Sequence, residues 1–192
     1  RAYRIRAKEY LIGRGWDFNT QETKILMLTH NLLADEQGYK NLADVFKHKE
    51  SFTKKEDDYI GYFVDYLEPI CNAYQNRKYG EMFKGLGQRT PNIRTLRDKA
   101  KWKIDFDKLI EIRNSGSIGD VIDHLKETQR PRLSDKIESK ERKIVHLETV
   151  AETERTEDDK RFMERLQNLK RVSYKEVTAL TKFVEDQTLF AT

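Results

Sequence analysis

At Thr53, Thr95, Ser117 and Ser173 a hydroxyl side chain is followed three positions later by Glu or Asp, close to the start of an apolar series. The hydroxyl can accept from the backbone N–H three residues on while the acid reaches back, so each site predicts a helix start. The series after Thr53 is Ile60, Phe63, Val64, Leu67, Ile70, Cys71 and Tyr74, and the one after Thr95 is Leu96, Ala100, Ile104, Leu109 and Ile112, with Trp102 and Phe106 nearby. Ser117 leads into Ile118, Val121, Ile122 and Leu125, and Ser173 into Val177, Leu180, Phe183 and Val184. Recurrence at three and four residues gives each helix one apolar face. A chain punctuated in this way is expected to be mainly α. Pro69 falls inside the first series and predicts a kink or break near Glu68, because its ring crowds the carbonyl four residues back.

Shorter patterns extend the same reading. Residues 2–12 form an amphipathic helix closed by Gly13 and Gly15; Leu32 to Phe46 reads as helix interrupted at Gly38; Tyr79, Met82, Phe83 and Leu86 form a short helix ending in Gly85 and Gly87. Residues 133–171 are dense in Lys, Arg and Glu around a sparse stripe, which predicts one or two exposed helices, hairpinned near Glu152 to Asp158 or disordered in the middle.

One stretch breaks the helical grammar. Ile25-Leu26-Met27-Leu28 is an unbroken apolar run suited to a strand buried on both faces, or to a buried helical turn, with Asn31 placed to cap the helix behind it. Thr188 to Thr192 reads as a second strand-like run at the other end of the chain. A buried strand needs partners for its backbone groups, and almost none are visible elsewhere. The expected architecture is therefore mainly α with a small α/β stub of one or two short strands.

Composition limits what such a chain can do. Of its 192 residues 37 % are hydrophobic and 36 % charged, yet nine Tyr, nine Phe and two Trp suffice for a packed core. The single cysteine, Cys71, excludes an internal disulfide, and with four scattered histidines it argues against zinc. No apolar run reaches the roughly 18 residues of a membrane span, no signal-peptide pattern opens the chain, and a reducing, cytoplasmic compartment fits best. Arg1 stands where a methionine would begin a complete chain, which suggests an excised or trimmed piece. Neither a phosphate loop, a dinucleotide-binding glycine motif, a zinc-protease motif nor a nucleophile elbow is present, so no catalytic residue is assigned. His30 ends the apolar run, where it is either a structural histidine or a loop residue with a role in function.

Charge is more informative in its distribution than in its net value of +4. Between Arg89 and Lys103 lie Arg89, Arg94, Arg97, Lys99, Lys101 and Lys103, interleaved with Trp102 and opposed within that stretch only by Asp98. Cations on one loop and helix can neutralise successive phosphates while a ring stacks on a base, which makes these seven residues a candidate DNA-binding set. The other reading is an amphipathic helix with a basic outer face and Trp102 in the core. Lys126, Arg130 and Arg132 form a weaker second set, and Tyr59, Tyr62, Tyr66 and Tyr74 read as packing residues or as a stacking platform.

Two segments, KILMLTHNLLADEQGYKNLADVF (24–46) and VSYKEVTALTKFVEDQTLFAT (172–192), resemble the second motor domain of UvrD/Rep-type superfamily 1 DNA helicases. In that family a RecA-like strand is followed by a helical insertion, the 2B subdomain. The chain then returns through a strand into a His-x-x-Lys-Gly-x-Glu-Phe motif. The resemblance implies a stub of the second RecA-like domain at 1–46 and 172–192 and a helical 2B-like accessory domain at 47–171. It also implies that Lys24 to His30 and Leu189 to Ala191 lie side by side. The partners implied are DNA at a single-strand/duplex junction and the remainder of the motor; ATP and magnesium are implied for the parent protein, and no cofactor for this chain. The alternative is a self-contained helical module that binds nucleic acid or protein.

Overall fold

Helix starts govern the architecture. The computed structural model describes residues 2–17, 30–46, 55–87 and 93–189, and among these it is mainly α-helical with no strand. In chain order the helices are α1 (Ala2–Ile12), α2 (His30–Gln37), α3 (Lys40–Val45), α4, α5 (Tyr79–Leu86), α6 (Leu96–Ser115) and α7 (Ile118–Thr128). They are followed by α8 (Asp135–Thr149), α9 (Glu157–Arg171) and α10 (Tyr174–Leu189). Helix α4 is continuous through Asp58–Gly61, a π-helical stretch Tyr62–Leu67, and Glu68–Gln75.

The capping boxes at Thr95/Asp98 and Ser117/Asp120 form as expected, each with both reciprocal bonds. Ser134 and Thr156 cap α8 and α9, and a 3-10 turn at Glu152–Glu154 lies in the connection between them. Two helix starts differ from expectation. Thr53 lies outside the described residues, and α4 opens instead on Asp57, whose carboxylate accepts from the N–H groups of Tyr59 and Ile60. The Glu176 carboxylate does not return to Ser173. It caps α3 from a distance, accepting from the Leu42 N–H at 2.9 Å and from Asn41 Nδ2 at 2.7 Å. Tyr39 at the head of α3 supplies no side-chain cap of its own, so an orphan donor there is satisfied by a carboxylate from another helix.

The expected α/β stub finds no strand among the described residues, which reach only its edges. The run Ile25–Leu28 lies outside the described residues, as do Phe190 to Thr192, whereas His30 and Asn31 already belong to α2, and Thr188 and Leu189 continue α10. A helix already formed extends into residues of weaker preference because each added residue brings one more hydrogen bond.

Pro69 does not break α4. The turns before it widen to the π form, and the Glu68 N–H donates to the Phe63 carbonyl five residues back. That widening accommodates the missing donor and the ring without ending the helix. It also turns Tyr59, Tyr62, Phe63 and Leu67 together into one buried face, so these tyrosines are packing residues.

The main core joins Leu42 of α3, Phe63 of α4, Val121 of α7, Ile137 of α8, Leu166 of α9 and Val177 of α10. Phe63 meets Tyr174 edge-on at 5.6 Å. A smaller cluster unites Ile70 and Ala73 of α4, Met82 and Leu86 of α5, and Phe106 of α6, with Tyr74 and Trp102 at its edge. Where α6 meets α7 and α9 meets α10, a short antiparallel bridge pairs Ser117 with Ser173. Gly119 lets that junction close: a Cβ there would stand 3.0 Å from the Lys170 carbonyl.

Buried polar groups are tied between helices. The Arg113 guanidinium of α6 grips Glu68 of α4 through two bonds, Nε to Oε1 at 2.8 Å and Nη2 to Oε2 at 2.7 Å, and also reaches Gln75 and Asn72. Glu141 of α8 accepts from Tyr59, Lys126 and Lys170.

The expected apolar stripe of α6 is only half right. Leu109 is buried and Ile112 packs against the main core, but Leu96 is 87 % exposed, Ile104 is 67 % exposed and Ala100 is exposed. The buried side is Phe106, Leu109 and Arg113, with Trp102 half-buried. Two apolar rows compete on this helix, and the one with the aromatic rings buries the larger area.

Removing Glu68 leaves the Arg113 cation buried without its partner, so Glu68→Ala is expected to destabilise the fold by about 3–5 kcal/mol in urea titrations followed by circular dichroism. A second expectation concerns acid. Bonds from Thr95 hold the Asp98 carboxyl below its ordinary range, backbone and side-chain bonds from Ser117 do so for Asp120, and Lys143 followed by Thr156 for Asp159. Because these folded-state values are depressed, their stabilisation is full above the unfolded carboxylate range and is lost as pH falls through the folded values. The melting temperature should hold between neutrality and pH of about 5 and drop below about 4.

Candidate nucleic-acid interface

Helix α6 is a 20-residue rod seated on α4, α7 and α10 by one side, and its free side carries most of the sequence-assigned cations. Arg89 lies outside the described residues. Arg94 precedes the cap, where its backbone N–H donates to Asp98 Oδ2 at 3.2 Å. Arg97 and Lys101, one turn apart, lie on one flank, and Lys99 and Lys103 on another; all four are exposed.

Their charges are not equally available. The Lys103 ammonium lies 2.6 Å from Asp107, and that hydrogen bond raises its pKa. Asp107 also accepts from the Tyr74 hydroxyl at 2.7 Å, and the Lys103 ammonium first, then this bond, holds its carboxyl low. By contrast, Arg97, Lys99 and Lys101 engage no acidic partner among the described residues. These three carry the field a polyanion would meet.

Trp102 is built into the fold. Its ring stacks on Phe106 at 5.5 Å with 25° between planes, and the Arg130 guanidinium sits 5.8 Å from its centroid. Phe106 in turn meets Tyr74 at 4.9 Å, and Tyr74 meets Tyr79 at 6.1 Å, so four rings run in series from α6 to α5. Arg130 is also paired with Asp105, Lys126 with Glu141, and Arg132 with Glu138. The second basic set thus binds the protein to itself.

The chemistry available here is electrostatic. Cys71 is buried, and burial pushes its thiol up to about 12, far from the range of a reactive thiolate. Among the described residues no group of three or more His, Cys, Asp or Glu is placed to hold a metal ion, and no helix is long and apolar enough to cross a membrane. The His30 side chain lies outside what the structure describes. Sequence reasoning found the cations but missed the exposed Leu96 and Ile104 beside them; the alternation of apolar and basic residues from Leu96 to Ile104 is the signal that carries both. Comparison with family models, with curated proteins and with solved structures gave no match.

Because Asp107 already neutralises Lys103, Lys101→Ala should lower the salt concentration for elution from a heparin column more than Lys103→Ala does.

Proposed function

We propose that this chain is the helical accessory part of an ATP-driven DNA helicase of the UvrD/Rep type, contacting DNA near a single-strand/duplex junction and regulating unwinding. The observation that carries the reading is the joining of the two segments that bear the resemblance. Glu176 of α10 caps α3, and Phe183 of α10 lies 5.7 Å from the Tyr39 ring. Residues that flank a long helical body in sequence thus meet at one place, as entry and exit of an insertion do. In this reading 1–46 and 172–192 attach to the motor and 47–171 form the 2B-like body. ATP and magnesium belong to the remainder of the motor, the setting is cytoplasmic, and this chain alone hydrolyses no ATP.

The DNA contact falls to α6, whose exposed cations suit a run of phosphates and whose packed Trp102 favours backbone contact over base stacking. A second reading, a self-contained interaction module, is favoured by the exposed apolar residues of the same helix.

Fluorescence anisotropy with a labelled junction DNA tests the first reading. The chain should bind with an affinity that falls steeply with salt. Joint replacement of Arg94, Arg97, Lys101 and Lys103 by Ala should weaken binding and flatten the log–log salt slope by up to about 0.9 for each phosphate that is no longer neutralised. Equal binding and equal slope for the two proteins would remove the assignment.

A further inference from the structure

The outer row of α6 contains a feature that phosphate contact leaves unused. Leu96, Ala100 and Ile104 stand one turn apart, forming a ridge about 12 Å long at 1.5 Å per residue. Leu96 and Ile104 are the exposed large apolar residues of this helix. Arg97 and Lys101 border the ridge on one side, Lys99 and Lys103 on the other. A phosphate backbone gains from the cations but offers nothing apolar for the leucine and isoleucine to bury. An amphipathic protein helix offers both, because its apolar row can pack against the ridge while carboxylates on its flanks reach the cations on either side.

We infer that the ridge Leu96–Ala100–Ile104 is a docking surface for an acidic amphipathic helix of a partner protein. Charge complementarity fixes that choice of occupant: the border is cationic on both sides, and Arg97, Lys99 and Lys101 have no acidic partner among the described residues. A second copy of this helix would set like charges against each other. The ridge is short, so the complex is weak and salt-sensitive. Since the same cations serve both ligands, an acidic helix and DNA exclude each other on α6. The inference thus rests on the proposed DNA contact only for this competition; the docking itself does not need it.

The probe is a synthetic helical peptide of about 15 residues, long enough to hold helical structure with suitable caps, with leucines at i, i+3, i+4 and i+7 and glutamates on the flanks. A control peptide carries glutamine in place of leucine. The variant is Leu96→Gln with Ile104→Gln, both at exposed positions, with an unchanged circular dichroism melt as the check on folding. The expected result is binding of the leucine peptide, a loss of about tenfold or more in the double variant, and similar losses for the control peptide. The double variant should keep its affinity for junction DNA, and that DNA should displace the leucine peptide from the unaltered protein. Equal binding of the two peptides, or of the peptide to the two proteins, overturns the docking surface and leaves the DNA reading standing. Peptide binding that obeys the pattern in a protein with no affinity for DNA supports the docking surface and overturns the DNA contact.

Discussion

The bidentate grip of Arg113 on Glu68 sets how α6 is turned about its own axis. Glu68 is 0 % exposed and Arg113 is 4 % exposed, so neither charge can reach bulk water if the helix rotates. Separating such a pair inside the protein would leave two desolvated ions, a far larger cost than any rearrangement of surface side chains. Asn72 and Gln75 take up remaining donors of the guanidinium, which fixes its plane as well as its position. With Arg113 pinned inward, Phe106 and Leu109 follow, and Leu96, Ala100 and Ile104 are carried to the outside. The character of the candidate interface is therefore decided by an ion pair some distance along the same helix.

The π-helical stretch of α4 serves that pair. Glu68 stands just after the widened turns, immediately before Pro69, and its side chain enters the space between α4 and α6. The Tyr174 hydroxyl lies in the same neighbourhood, where burial, with Glu68 next in weight, pushes its pKa well above the ordinary tyrosine range. Two features that look like defects in a helix, a proline and a change of winding, thus coincide with the place where the Arg113–Glu68 pair joins α4 to α6 and Tyr174 of α10 is buried.

What could be read from the sequence was what is local. The boxes at Thr95 and Ser117 formed because both partners lie within one turn; the Lys103–Asp107 pair, four residues apart, obeys a similar local rule but went unread beside Asp98. Glu176 satisfied the same pattern after Ser173, yet it was drawn to an uncapped helix start far away in sequence, which no local rule foresees. The outward turn of Leu96 and Ile104 was hidden for a related reason. Their spacing is as helical as that of the buried residues, and the non-local Glu68 contact adds to the larger area of the aromatic row in selecting between the two. Trp102 was legible as aromatic among cations, and its stacking on Phe106 one turn along is local, but its contact with Arg130 comes from beyond α7.

The meeting of α3 with α10 has a mechanical consequence. Strands of chain that enter and leave a body at one point can be pulled apart only by breaking what joins them there. A force applied across the segments before α3 and after α10 falls first on the Glu176 bonds and on the Tyr39–Phe183 contact, which bear it as a staple does. While that staple holds, the helices between them carry no tension.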